Sequence, residues 1–347
     1  MRNWAGVNGT VFDTRRLAKR LPKLSDPWVM GNRPGLRVIE LPNTFVRVRV
    51  AGEGDQTIVF ACDPPNVVEQ YDEVIAKLGT RYRVVCIEQP GFGFSFPKAG
   101  FGFTLAEYTD TLIALLEELD LAPYSLAFPC FSTYYAIAVA HRRPDLIRKL
   151  ILMQATSWPE QKQWLQFTAT FFVFATTGIP IVGGRLARIP YIGQAINAAI
   201  EPTFSEKTFG AVVYRSQDRP ELLEKFLTAG RDAFTRGACN CLTSMAQRYF
   251  SGDDEGFPKP EQPALILFAN RDLSHDNSHV LPKLRKTTGL PKFLAKLLVP
   301  EAHTDPQGLM KYVPHAQFGE IDKTGHHLEL ESPDQVCGAI GEFVGSP

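Results

Sequence analysis

"YSLAFPCFSTYYAIAVAHRRPDLIRKLILMQA", residues 124–155, decides the fold. An apolar run at 124–129 stops at Pro129-Cys130. Helical spacing follows over 131–143, Pro144 ends it, and a second apolar run fills 147–155. A short continuous apolar run, a sharp turn, a helix and another such run describe a strand–helix–strand unit. Strands of that kind are parallel and covered on both faces.

The same alternation extends towards the N-terminus. "LRVIELP" (36–42) and "TFVRVRVAG" (44–52) read as paired strands, with Arg47 and Arg49 placed on a wet face between Val46, Val48 and Val50. "QTIVFAC" (56–62) reads as a central strand, 67–79 as a helix and "RYRVVCIE" (81–88) as the next strand. "QPGFGFSFP" (89–97) is a glycine-rich turn. Over 104–121 the residues Leu105, Tyr108, Leu112, Leu115 and Leu116 recur at helical spacing, and Thr104 with Glu107 forms a capping box.

Beyond residue 155 the alternation stops. Residues 156–258 carry a helical, aromatic pattern broken by Gly and Pro, with Trp158, Trp164, Phe171, Phe172 and Phe174 prominent. Strand pattern resumes at "PALILFAN" (263–270) and "AQFGEID" (316–322), and a last helix covers 333–344. The expected organisation is an N-terminal arm (1–35), an α/β core (36–155 and 259–347) and a helical cap inserted at 156–258. The expected fold is α/β, a mostly parallel sheet with helices on both faces.

Composition narrows the function classes. Lys+Arg and Asp+Glu are both 37, so the net charge is zero, without the basic excess of a nucleic-acid binder. The six cysteines (62, 86, 130, 239, 241, 337) form no CxxC pair, and Cys239-Asn-Cys241 is too short for the usual zinc spacing. Reduced thiols and a cytoplasmic location are expected. The basic N-terminus lacks an apolar signal core. The most apolar run, 167–184, is interrupted by Pro180 and several Gly and Thr, so no transmembrane segment is expected.

Ligands of open α/β sheets gather at the carboxyl ends of strands. Three such ends carry reactive residues in chain order: Cys130 after 124–129, Asp272 after 263–270 (Asp276 the alternative), and His326 after 316–322. A thiol nucleophile needs a base to take its proton, and the base needs a group that fixes its tautomer. The bland reading of a free cysteine is a small buried hydrophobe, and Cys62, Cys86 and Cys337 are assigned to it.

Four stretches in order resemble the α/β-hydrolase superfamily, in its capped branch of haloalkane dehalogenases, epoxide hydrolases and esterases. "TIVFACDPPNVVEQYDEVIAKLGTRYRVVCIEQPGFGFS" resembles the oxyanion strand, its helix and the D-x-P-G-x-G-x-S turn, with Glu88 for the Asp. "YSLAFPCFSTYYA" resembles the elbow, with Cys130 at the nucleophile position, "PALILFANRD" the acid strand, and "TGHHLELESPDQV" the histidine block. The resemblance implies a Cys130–His326–Asp272 triad, with His327 a flanking residue, and an oxyanion hole using the backbone N–H of Phe131. Where the family reads H-G-x-P, this chain has Cys62-Asp63-Pro64-Pro65. Pro64 has no N–H to donate, and Asp63 is the stand-in considered for that hole.

The function expected is a cofactor-independent, metal-free hydrolase or acyltransferase for a small hydrophobic ester, lactone or thioester. Two alternatives stay open: a degenerate hydrolase-fold protein that binds an apolar ligand, and a non-hydrolytic enzyme (lyase or C–C cleavage) in which Asp63 moves the proton. A homo-oligomer also stays open.

Overall fold

The computed structural model describes residues 34–63, 66–98, 101–155, 213–215, 218–222, 249, 257–272 and 305–346. All but the last two residues of the arm expected at 1–35, nearly all of the cap expected at 156–258, and Asp276 lie outside those residues.

Among the described residues, nine strands form one sheet. In chain order they are β1 (Leu36–Glu40), β2 (Thr44–Ala51), β3 (Thr57–Ala61), β4 (Arg83–Ile87), β5 (Phe96–Pro97), β6 (Tyr124–Pro129), β7 (Ile147–Met153), β8 (Ala264–Ala269) and β9 (Gln317–Ile321). The spatial order is β1-β2-β4-β3-β6-β7-β8-β9, with β5 paired to β2. Every pairing from β4 through β9 is parallel, and β1, β2 and β5 join antiparallel. The helices among the described residues are α1 (Asp72–Gly79), α2 (Leu105–Leu119), α3 (Ser132–Arg142), the single-turn α4 (Leu328–Glu331) and α5 (Pro333–Gly345).

Continuous apolar strands need cover on both faces, and each face has its own cluster. Tyr108, Leu112 and Leu115 of α2 with Tyr135 and Val139 of α3 pack on one side. Val74, Ile75 and Leu78 of α1 with Val336, Ile340 and Phe343 of α5 pack on the other. The capping box of α2 is present: Thr104 Oγ1 accepts from the Glu107 N–H at 3.2 Å. Residues 67–79 divide into a 3-10 turn (Val68–Tyr71) and α1.

One expectation about the first strands is corrected. Arg47 does not face water; it is fully buried. Its guanidinium donates to Glu69 and to Glu88 Oε1, the latter at 2.6 Å. Glu88 also accepts from the backbone N–H of Phe94 at 2.6 Å and of Val68 at 3.0 Å. The acid in the turn thus ties the 89–95 loop to β2, and β-strand alternation alone cannot show that the turn folds back over that face.

The order of strands sets the site. From β3 the chain steps one way to β4, then crosses back to β6 on the other flank. The crevice between the carboxyl ends of β3 and β6 is therefore a topological switch point, where open α/β sheets bind ligands. In the β3–β6 register Phe60 lies opposite Ala127. The same register carried past the strand ends sets Asp63 opposite Cys130.

Candidate active site

Cys130 sits at the turn between β6 and α3 with φ of +51°. A left-handed conformation is unusual for a residue with a Cβ, and strained residues held by their surroundings cluster at functional sites. Here the restraints are visible. The Cys130 N–H donates to Met153 O at 2.8 Å, and Cys130 O accepts from the Thr133 N–H at 3.2 Å and from Thr133 Oγ1 at 2.8 Å. Ser132 Oγ donates to Pro129 O. Phe128, where the family has Gly, is buried edge-on against Tyr135 at 5.6 Å between ring centroids. The large residue is absorbed by packing below the turn and does not fill it.

His326 follows Thr324-Gly325 after β9. Its Nδ1 lies 3.0 Å from Asp272 Oδ2. Glu331 fixes the loop, because its Oε2 accepts from the Gly325 N–H at 3.0 Å and from the Tyr214 N–H at 2.8 Å. Gln154, one residue beyond β7, holds Asp272 and the His326 loop together. Its Nε2 lies 3.0 Å from Asp272 Oδ2, 3.1 Å from His326 O and 3.3 Å from Gly325 O, while its Oε1 accepts from the Ala269 N–H at 2.7 Å.

Asp63 is the departure from an ordinary triad. Its Oδ2 lies 3.2 Å from His326 Nε2 and 3.3 Å from His327 Nδ1. The reactive atoms of Asp63, Cys130 and His326 all lie within 4.8 Å of one another. The Asp63 N–H donates to Tyr71 Oη at 2.8 Å, and Tyr71 Oη in turn donates to Glu329 Oε1 at 3.0 Å. Asp63 Oδ1 is buried with no hydrogen-bond partner among the described residues. Gln89 braces this loop: its Nε2 donates to Cys62 O at 2.9 Å and its Oε1 accepts from Tyr135 Oη at 2.8 Å.

The electrostatics follow from that geometry. Burial would lower the His326 imidazole, but Asp272, Asp63 and Cys130 together hold it well above its ordinary value. Burial would raise the Asp63 carboxyl, and hydrogen bonds from the two histidines hold it well below the carboxylate range. Burial and the charge of Asp63 push the Cys130 thiol up, against a hydrogen bond with His326. The two carboxylates thus favour charge on His326, and burial with Asp63 opposes ionisation of the Cys130 thiol. His327 is pushed down by burial, and burial with the charge of Asp63 pushes Glu329 up to about 8.

The five residues singled out from the sequence come together. Cys130, His326 and Asp63 bring their reactive atoms within 4.8 Å of one another, Asp272 holds His326 Nδ1 at 3.0 Å, and Phe131 follows Cys130 at the start of α3. Sequence reasoning missed Gln154, whose signal was one polar residue closing a fully apolar run, and His327, set aside as flanking, which packs against Asp63. Aromatic rings cover the elbow. Tyr249 stands edge-on to Phe131 at 5.3 Å and its Oη donates to Phe131 O at 2.8 Å, while Phe92 lies 5.7 Å from Phe131.

Comparisons with known proteins agree with this architecture. Haloalkane dehalogenase 2 of Mycobacterium tuberculosis is 21% identical over 305 residues, spanning 86% of this chain and 92% of the relative. An uncharacterized hydrolase of Bacillus subtilis, YugF, is 21% identical over 294 residues, 84% of this chain and 90% of its own. Among solved structures, a thermophilic esterase from Thermogutta terrifontis superposes with a TM-score of 0.64 at 18% identity, covering 89% of this chain and 98% of the esterase. The enol-lactonase from Burkholderia xenovorans LB400 gives 0.63 at 16% identity, covering 89% and 100%. Such low identities establish a shared fold and leave the chemistry to the site. The sequence profile of the alpha/beta hydrolase fold matches residues 64–333, more than three-quarters of the chain, and the protein belongs to that family.

Proposed function

We propose that the protein is a hydrolase for a small hydrophobic ester, lactone or thioester, with Cys130 as nucleophile, His326 as base and Asp272 as the group that orients it. One observation carries this reading. Cys130 occupies the strained strand-to-helix turn at φ +51°, with its sulfur within 4.8 Å of a histidine nitrogen whose ring is held by Asp272 at 3.0 Å. With its Nδ1–H on Asp272 and its Nε2 unprotonated, His326 takes the thiol proton at Nε2. The thiolate adds to the carbonyl carbon, a C–S bond forms and the carbonyl oxygen becomes an oxyanion beside the Phe131 N–H. Collapse expels the alcohol or thiol, which takes its proton from His326. Water, deprotonated by the same nitrogen, cleaves the thioester, releases the acid and restores the thiol. The aromatic cover of Phe92, Phe131 and Tyr249 supports an apolar acyl group. The test is a panel of p-nitrophenyl esters, lactones and acyl thioesters run with the wild type, Cys130→Ala and His326→Ala. Turnover that falls at least ~10³-fold in both variants supports the reading; full activity in Cys130→Ala ends it.

The 3.2 Å contact between Asp63 Oδ2 and His326 Nε2 favours a second reading, non-hydrolytic proton transfer through the Asp63–His326 pair. In that case Asp63→Asn abolishes activity and Cys130→Ala keeps it.

A further inference from the structure

The carboxylate that departs from the family pattern does more than crowd the base. It adds an oxygen to a sulfur and a nitrogen that already face one point. We propose that Cys130 Sγ, His326 Nε2 and Asp63 Oδ2 form a binding site for a thiophilic divalent cation of the Zn2+ type, which holds the protein in an inactive state. The cation site needs only the three side chains; its inactivating effect rests on the hydrolytic reading.

Three observations carry it. The first is the donor set. One thiolate, one imidazole and one carboxylate match the borderline softness of Zn2+ and not the all-oxygen preference of Mg2+ or Ca2+. Their charge once the thiol is ionised balances a dication.

The second is spacing. With metal bonds of 2.0–2.3 Å, tetrahedral ligand atoms stand about 3.4 Å apart. His326 Nε2 and Asp63 Oδ2 are already 3.2 Å apart, and all three donor atoms lie within 4.8 Å of one another. Closing the sulfur edges is a movement of about an ångström, within the reach of a cysteine side chain that turns about one bond.

The third is the surroundings. A histidine that binds metal through one nitrogen commonly donates the other N–H to a carboxylate. His326 Nδ1 does this to Asp272 at 3.0 Å, and Gln154 holds that carboxylate from behind at 3.0 Å. Asp63 is 1% exposed, and its second oxygen, Oδ1, lacks a hydrogen-bond partner among the described residues. The carboxylate is thus buried with one oxygen unsatisfied by protein, and a cation held at Oδ2 would neutralise the charge the two oxygens share.

Binding would release the Cys130 thiol proton, together with any proton on His326 Nε2, and no oxidant or reductant is involved. It would also occupy the atoms that the hydrolytic reading needs for attack and for proton transfer, so metal binding and turnover exclude each other.

The test uses the full chain, treated with chelator and then titrated with Co2+. Tetrahedral Co2+ reports itself by visible d–d bands, and a thiolate ligand adds a near-ultraviolet charge-transfer band. Saturation at one equivalent is expected, with Zn2+ displacing the colour. Cys130→Ser should lose the charge-transfer band. Asp63→Asn should weaken Co2+ binding at least tenfold, and Asp272→Asn by ~10–100-fold through the outer hydrogen bond. Circular dichroism shows whether each variant is folded, and Asp63→Ser replaces Asp63→Asn if that one is not. No charge-transfer band in the wild type, a band that survives Cys130→Ser, or undiminished affinity in the Asp63 variant would overturn the inference. Ester turnover measured in chelator separates the two accounts. Turnover without cobalt binding leaves hydrolysis standing alone, and cobalt binding without turnover leaves the cation site alone.

Discussion

Asp63 Oδ2 lies 3.2 Å from His326 Nε2, the nitrogen a triad reserves for its nucleophile. Two acceptors therefore compete for one donor, since the Cys130 sulfur lies within 4.8 Å of both atoms. Removing the carboxylate should release His326 to the thiol. Asp63→Asn is expected to speed iodoacetamide alkylation of Cys130 at neutral pH by about tenfold, which corresponds to ~1.4 kcal/mol. Peptide mass spectrometry reads the rate, with His326→Ala as the control. A slower rate in Asp63→Asn would show that the carboxylate assists the thiol and does not compete with it.

The elbow strain is testable without a substrate. A Cβ at φ +51° costs about 1–2 kcal/mol that glycine does not incur. Cys130→Gly should be more stable than Cys130→Ala by about 1 kcal/mol, a difference measurable as a shift in urea midpoint. If the alanine variant proved the more stable, by the ordinary ~0.5–1 kcal/mol that glycine loses in chain entropy, the turn would not be strained.

Gln154 bridges β7 to both the Asp272 and the His326 loops. Gln154→Leu leaves Asp272 and the Ala269 N–H short of a buried partner. The expected destabilisation is about 1–3 kcal/mol, with a fall in kcat exceeding any change in KM. A loss of stability below ~0.5 kcal/mol would mean that the clamp is redundant.

Glu331 gives a pH dependence of stability. Burial outweighs its backbone hydrogen bonds and raises its carboxyl to about 7. In the unfolded chain an ordinary glutamate ionises near ~4.3. Between these values the folded state binds the extra proton, so the contribution is complete below the lower value and disappears as pH rises through the upper one. The melting temperature of the wild type relative to Glu331→Gln should therefore fall from pH 5 to pH 8. A difference that is flat or rises over that interval would refute the raised value.

Much of this was legible because the core strands are continuous apolar runs and the reactive residues fall just past their ends. Cys130, Asp272 and His326 were singled out that way and stand together in the structure, while the capping box of α2 was read from Thr104 and Glu107. Arg47 was misplaced because alternation shows which way a side chain points and not what folds over it; a turn supplied its carboxylate partner, Glu88. Gln154 and His327 were overlooked because their roles are long-range. The partner of Gln154 is 118 residues away, and His327 meets Asp63 only after β3 and β9 are in one sheet. The Asp63–Cys130 juxtaposition depends on the β3–β6 register, which a single sequence does not state.

The most direct measurement is covalent. The wild type is mixed with p-nitrophenyl butyrate, quenched in acid after a few turnovers, digested and analysed by mass spectrometry. The account predicts a butyryl group on the peptide containing Cys130, a matching burst of p-nitrophenol, and loss of both in Cys130→Ala. Steady turnover of the ester that is undiminished in Cys130→Ala, with no acylated Cys130 peptide in the wild type, would contradict it.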